Sequence, residues 1–268
     1  MKATPNIGLR DVQAVYSGPE GDLWELVMGE QIHMGGLQSS ADLAERAGIG
    51  AGASGVDLCC CSGAGMRFLV RFRNVAHMHG VDATPTVVER GRRRCDDEGL
   101  AGQITFTLAD ACQSGLPGAS FDFAWGEDAW CYVVDKAGLI AEAVRLVRPG
   151  GTVAFTDWVE GEAGLSDAEA ERFLRFMKFP NVEDLAGYHD LLAANGCDVL
   201  AAHDTGRFPS HVDLYLDVLG KQLAYDALKI LGFDAARLES MASEMAFLGE
   251  LAHAGKIAQA LFVARKKA

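Results

Sequence analysis

The stretch Val56-Asp57-Leu58-Cys59-Cys60-Cys61-Ser62-Gly63-Ala64-Gly65 decides the fold. An apolar run of strand length ends in small residues, where a backbone can turn sharply and approach a ligand before a helix begins. The next acid at a strand end is Asp82, which closes His77-Met78-His79-Gly80-Val81-Asp82 and lies 25 residues beyond Asp57. A carboxylate there accepts both hydroxyl protons of a ribose, and this spacing is the one expected of nucleotide-binding α/β folds. A tight turn followed by a solvated acid is the plain structural alternative.

Outward from this stretch the pattern alternates. SGVDLCC reads as a buried strand, GMRFLVRF as helix, HMHGVD as strand and Thr84 to Glu98 as helix. Proline at the first turn of that helix lacks only an amide that would be unpaired anyway. Strands follow at QITFTLAD, FDFAWG and GTVAFTD, with the helix AGLIAEAVRLVRPGG before the last. Strands separated by helices predict a parallel sheet covered on both faces.

Beyond residue 158 the pattern changes. Ser166 and Glu169 have capping-box spacing, VEDLAGYHDLLAANG reads as helix, and CDVLAAHD and ALFVARKK read as strands around a helical insertion. Upstream, Ser39 and Ser40 are expected to cap ADLAERAG, with Gly48 ending it. The expected organisation is an N-terminal helical cap over 1–50 and a core sheet over 51–158, 197–206 and 257–268. Helices follow the fifth strand over 159–196, and a helical lid is inserted over 207–256.

Composition narrows the function. The 268 residues carry 24 basic and 37 acidic side chains, a net charge of −13, which opposes a phosphate backbone, so no nucleic-acid partner is expected. No apolar stretch approaches the roughly 18 residues of a membrane span, and MKATPNIGLRD lacks a signal-peptide core. A cytoplasmic protein without a membrane partner is the expectation. The seven cysteines, three contiguous, are an odd set unlike a disulfide framework. Neighbouring strand residues point to opposite faces, so Cys59, Cys60 and Cys61 cannot easily converge on one tetrahedral ion, and no metal is expected.

A dinucleotide would favour the full three-glycine loop, whereas S-adenosylmethionine has no pyrophosphate and carries a methionine zwitterion and a sulfonium. Here Gly63 and Gly65 are followed by Met66, Arg67 and Phe68. Some fifty residues precede the first strand, and Asp110 follows the third strand within reach of an adenine amine. VDLCCCSGAG, GVDAT, LADA, SFDFAWGEDAW, LVRPGGTVAFTDW and ALFVARKK resemble the class I S-adenosylmethionine-dependent methyltransferases. Within these the chain is most similar to the phosphoethanolamine and sarcosine/dimethylglycine N-methyltransferases, through Tyr16, Leu23-Trp24-Glu25, Gly29-Glu30 and Gly35-Gly36-Leu37.

The resemblance implies a Rossmann-like α/β fold with a seven-stranded, mostly parallel sheet, an antiparallel last strand and a helical lid. It implies cofactor contacts from Asp57, Gly63, Asp82, Ala83, Asp110 and the Ala111 amide, with Tyr16 closing over the site. Gly35, Cys59, Cys61 and Glu127 complete the expected cofactor set. Cys59 and Cys61 stand where the family usually has glycine, so backbone angles that a β-carbon tolerates are expected there.

The implied activity is methyl transfer to a small-molecule acceptor, an amine first. In-line displacement gains about 7–11 kcal/mol from positioning alone. Tyr16, Asp128 and Tyr132 are the catalytic candidates, Asp128 matching an Asp of the phosphoethanolamine enzymes while Tyr132 replaces their latch histidine. A phenol is a poor proton acceptor near neutrality, so positioning rather than a strong general base is expected. His33, Asp128, Trp158, Phe179 and Tyr215 are the acceptor candidates. Met177 and Phe179 stand where those enzymes hold phosphate with an Arg and a Tyr, so a phosphate ester is not the expected acceptor, Lys178 and Arg207 being the residues able to change that. A cofactor-binding protein without turnover and an NAD-dependent oxidoreductase are the rival readings.

Overall fold

The computed structural model describes residues 1–4 and 6–268. In chain order the elements are β1 (Lys2–Ala3), α1 (Leu9–Tyr16), α2 (Pro19–Met28), α3 (Gly36–Arg46), β2 (Ser54–Leu58), α4 (Ala64–Arg73) and β3 (His77–Asp82). Then come α5 (Pro85–Asp97), β4 (Ile104–Leu108), β5 (Phe121–Glu127), a 3₁₀ turn (Trp130–Tyr132), α6 (Lys136–Leu146), β6 (Val147–Glu160) and α7 (Asp167–Met177). The chain closes with β7 (Asn181–Val182), α8 (Leu185–Ala194), β8 (Cys197–Asp204), α9 (Phe208–Val218), a π turn (Leu219–Leu223), α10 (Ala224–Ile230), α11 (Ala235–His253) and β9 (Ile257–Lys266).

Seven strands form one sheet in the order β4-β3-β2-β5-β6-β9-β8. Neighbours are parallel from β4 to β6, and the last strand β9 runs antiparallel to both β6 and β8. This is the expected α/β architecture. Apolar residues of β2, β5, β6 and β9 fill its centre, where Trp130 stacks on Phe155 at 4.1 Å and Phe155 on Phe262 at 4.6 Å.

Local chemistry sets several helix starts. The Ser166–Glu169 capping box is present, with the Ser166 N–H donating to the Glu169 carboxylate at 2.9 Å. Asp135, Asp184 and Asp234 each accept an N–H of the following turn, which satisfies donors that have no partner inside a helix. Two readings need correction. Helix α3 starts at Gly36, so Ser39 and Ser40 lie inside it as buried residues rather than as caps. The residues flanking the core are not purely helical either, because β1 pairs with β7 in a separate two-stranded sheet. Two-residue strands carry too little periodicity to be legible in sequence. Among the described residues, no helix is long and apolar enough to cross a membrane.

Candidate active site

The carboxyl ends of β2, β3, β4 and β5 surround a cavity of about 330 Å3, a volume usual for small-molecule sites. It lies where strand order reverses across β2, the switch point at which open α/β sheets take ligands. Leu9, Val12 and Tyr16 of α1 and the segment Glu30–His33 cover it from the opposite side.

Asp82 sits at the end of β3. Its Oδ2 accepts the Cys61 N–H at 3.0 Å and its Oδ1 the Thr84 N–H at 2.8 Å, leaving each oxygen a further lone pair. Burial pushes its pKa up against these bonds. Asp57, 5% exposed, is pushed up further by desolvation and then by the charges of Glu127 and Asp82. Glu127 accepts the Ser40 hydroxyl at 2.6 Å. A β-carbon on Gly65 would meet Glu127 Oε2, so glycine leaves the acid its place beside the start of α4. Asp110 turns back to accept the Cys112 N–H at 2.8 Å, beside Ala111 in the same wall.

The charge of the wall is one-sided. Glu30, Asp57, Asp82, Asp110, Glu127, Asp128 and Asp135 line the cavity, and no lysine or arginine does. A pyrophosphate would find no lysine or arginine on this wall and seven acids instead, which disfavours a nicotinamide dinucleotide. A sulfonium and an ammonium beside hydroxyl and amine donors fit these acids.

The first loop overturns one expectation. Cys59 and Cys61 adopt φ of +63° and +48°, so the backbone keeps the left-handed conformations that glycine would take, at a strain of about 1–3 kcal/mol each. The Cys59 N–H donating to Val81 O at 2.8 Å and the Cys61 N–H to Asp82 hold the loop there. Burial and nearby acids push both thiols up, Cys61 to about 12, so they face the cavity protonated.

Tyr16, at the end of α1, donates to the Tyr132 hydroxyl at 3.1 Å, with the rings edge to face at 5.6 Å. Burial pushes both phenols up. Tyr16→Phe removes one neutral hydrogen bond, about 0.5–1.5 kcal/mol. Its expected effect is a several-fold faster release of S-adenosylhomocysteine in stopped-flow measurements, with the fold unchanged.

Asp128 lies at φ +50° and is buried. Its Oδ2 accepts the Met34 N–H at 2.8 Å and the Gln259 amide at 2.8 Å. His33 and Ala83 also line the cavity. Trp158, Phe179 and Tyr215 do not. Strand β6 runs on to Glu160, which carries Trp158 beneath α7 and α9, where it packs with Phe173, Phe179 and Phe208 in an apolar cluster behind Tyr132, and no residue of the 207–256 insertion lines the cavity. Tyr215 faces a separate apolar crevice with Leu23 and Trp24. Gly35 and Gly63 lie off the wall and act through conformation, as positive-φ residues before α3 and α4.

Sequence reading passed over Gln31, Ser40 and Gln259. Gln259 had a signal: it is a polar residue in the apolar run Ile257–Ala264 and is fully buried. Arginines of α4 and α5 hold the N-terminal segment in place. Arg90 pairs with Glu25 at 3.1 Å, Arg94 pairs with the same acid, and buried Arg67 pairs with Glu30, so α2 and its following loop are clamped onto the core.

Residues 56–155 match the family model described as a methyltransferase domain. Methyltransferase GfsG of Streptomyces halstedii is 28% identical over 171 residues, 63% of this chain and 61% of that protein. Dimethylglycine N-methyltransferase of Parasynechococcus marenigrum (strain WH8102) is 36% identical over 102 residues, 38% of this chain and 36% of that protein. The chain thus spans less than two thirds of the length of either relative. In solved structures, Haemonchus contortus phosphoethanolamine N-methyltransferase 2 in complex with S-adenosyl-L-methionine matches with a TM-score of 0.86 at 19% identity, over 98% of this chain and 61% of that one. That likeness is one of fold. Residues 56–155 thus resemble a methyltransferase domain, and the chain as a whole has the fold of that solved methyltransferase structure.

Proposed function

We propose that this protein transfers a methyl group from S-adenosylmethionine to a compact, largely apolar amine. The observation that carries the reading is the cavity wall of seven carboxylates without a lysine or arginine. Such a wall favours cationic and hydrogen-donating ligands and disfavours phosphate and carboxylate acceptors.

In this reading Asp82 takes the ribose hydroxyls, Asp57 and Glu127 face the cationic end of the cofactor, and Asp110 with the Ala111 amide takes the adenine. Cys59 and Cys61 pack against it with protonated thiols, and Ala83 lets the chain pass close to it. When bound, S-adenosylmethionine supplies an electrophilic methyl on its sulfonium. Tyr16 and Tyr132 close the cavity and exclude water, so positioning supplies most of the acceleration, up to about 7–11 kcal/mol. His33 and Asp128 face the acceptor. Trp158, Phe179 and Tyr215 shape the site from behind.

Two cations able to favour a phosphate ester are committed elsewhere. Arg207 pairs with Asp42 at 2.5 Å, and Lys178 donates to Arg175 O at 3.1 Å on the surface. Met177 and Phe179 are buried in the apolar cluster. The Haemonchus enzyme is named for phosphoethanolamine, so the decisive test sets this acceptor against others. Calorimetry with S-adenosylmethionine, S-adenosylhomocysteine and NADH comes first, followed by S-adenosylhomocysteine release over a panel of compact secondary and tertiary amines, matched alcohols and phosphoethanolamine. The expected result is at least tenfold higher kcat/KM for an amine than for phosphoethanolamine. A preference for phosphoethanolamine or for an alcohol overturns the amine. Cofactor binding without release over the whole panel leaves a binding protein without turnover.

A further inference from the structure

The cavity wall from Asp128 to Asp135 is gripped from behind. Asp128, Ala129, Tyr132, Val133, Val134 and Asp135 line the cavity. On the far side of this segment the Asp128 N–H donates to Thr156 O at 2.8 Å, and the Cys131 N–H donates to Asp157 Oδ1 of β6 at 3.0 Å. The other Asp157 oxygen accepts the Tyr188 hydroxyl of α8 at 2.5 Å. Lys136, at the start of α6, donates from Nζ to Cys131 O at 3.2 Å and to Val133 O at 2.6 Å. The residues on both sides of Tyr132 are therefore held by charged groups. Lys136 is 4% and Asp157 0% exposed, and neither lines the cavity. Opposite charges buried in place of apolar side chains add little net stability, whereas hydrogen bonds to an ionised group are about twice as strong as neutral ones.

We propose that Lys136 and Asp157 are positioning residues that hold Tyr132 in the pair closing the cavity, acting through the backbone of the Trp130–Tyr132 turn. The proposal rests on the reading in which Tyr16 and Tyr132 close over the cofactor, and it needs no particular acceptor. The two charges depend on each other. Burial pulls the Lys136 ammonium down, and the Asp157 carboxylate is the first charge to oppose that. Burial pushes Asp157 up to about 6, against the Lys136 ammonium, the Tyr188 hydroxyl and the Cys131 N–H. Asp128 at the end of β5 raises it further. The remaining groups that face the two residues are the Cys59 and Cys131 thiols, kept protonated by burial, and Glu183 ahead of α8. As Asp157 takes a proton, its bond to the Cys131 N–H becomes a neutral one and the ammonium loses its counter-charge. The turn that carries Tyr132 then loosens.

The test is stopped-flow release of S-adenosylhomocysteine from the full chain as a function of pH, for the parent, Asp157→Asn and Tyr188→Phe. Parent release is expected to quicken about tenfold as the pH falls through about 6. Asparagine imitates the protonated acid, because its oxygen still takes the Cys131 N–H while the charge is gone. Asp157→Asn is therefore expected to release at the fast rate throughout, with no step. Tyr188→Phe keeps the ring and removes a bond that favours the carboxylate, so the step should move up by about half a pH unit or more. A merely structural role would change the rate without moving the step. A parent without the step, or an Asp157→Asn variant that keeps it, overturns the positioning and leaves the cofactor reading standing. If Asp157→Asn fails to fold, Tyr188→Phe decides, a raised step supporting the positioning and an unmoved one overturning it. A chain that binds no S-adenosylhomocysteine overturns the cofactor reading and with it the positioning.

Discussion

Replacing Asp82 by alanine is expected to weaken S-adenosylhomocysteine binding at least a hundredfold. In the proposed cofactor pose two hydroxyl bonds to a carboxylate are lost, each worth about 1.5–3 kcal/mol, and about 1.4 kcal/mol is tenfold in affinity. Asp82 also accepts the Cys61 and Thr84 N–H groups, so alanine releases a loop held in left-handed conformations. The loss therefore exceeds that of Asp82→Asn, which keeps an oxygen for one of these amides. Calorimetry on both variants, with circular dichroism to establish folding, reads the difference. A folded alanine variant that binds as tightly as the parent would remove Asp82 from the cofactor site.

Asp128→Ala is expected to cost stability as well as turnover. The carboxylate joins three distant parts of the chain: Met34 beside the cavity loop, its own position after β5, and Gln259 of β9. Gln259 also donates to Met34 O at 3.0 Å, so the acid and the amide together fasten the loop that carries His33. Alanine leaves the Met34 N–H and part of the Gln259 amide without acceptors in a buried place, at about 1–3 kcal/mol per group. A loss of roughly 2–4 kcal/mol lowers the melting temperature by roughly 5–15 °C. Single-turnover methyl transfer should fall further than in Tyr16→Phe, because the acid fastens the Met34 loop and, in the proposed reading, faces the acceptor. A melting temperature within two degrees of the parent (~2 °C on the same scale) would show that the carboxylate does not fasten the loop, and an unchanged single-turnover rate would remove it from the acceptor site.

The alternation of strands and helices, the small residues after β2, Asp82 at the end of β3 and the Ser166 capping box were all legible in the sequence. Each depends on neighbours within a few positions, and hydrophobic period, turn chemistry and end-capping are local properties. The acidity of the site was half legible. The acids could be read singly, but their convergence on one cavity whose lining holds no lysine or arginine follows only from the strand order.

What the tertiary structure alone decided lies in long-range pairs. Gln259 meets Met34 across 225 residues, and Ser40 meets Glu127 across 87. Nothing in a local pattern marks such partners, because burial and complementary shape choose them after the elements have packed. The same holds for Trp158 and Phe179, whose aromatic character suits a pocket wall or a core equally well. The packing of α7 and α9 put them in the core. Cys59 and Cys61 kept glycine-like angles because amide bonds to Val81 and Asp82 outweigh the strain of a β-carbon. His33 is a common residue with no local signature. Only the three oxygens folded around its Nε2, from Gln31, Ser40 and Glu127, place it in the site.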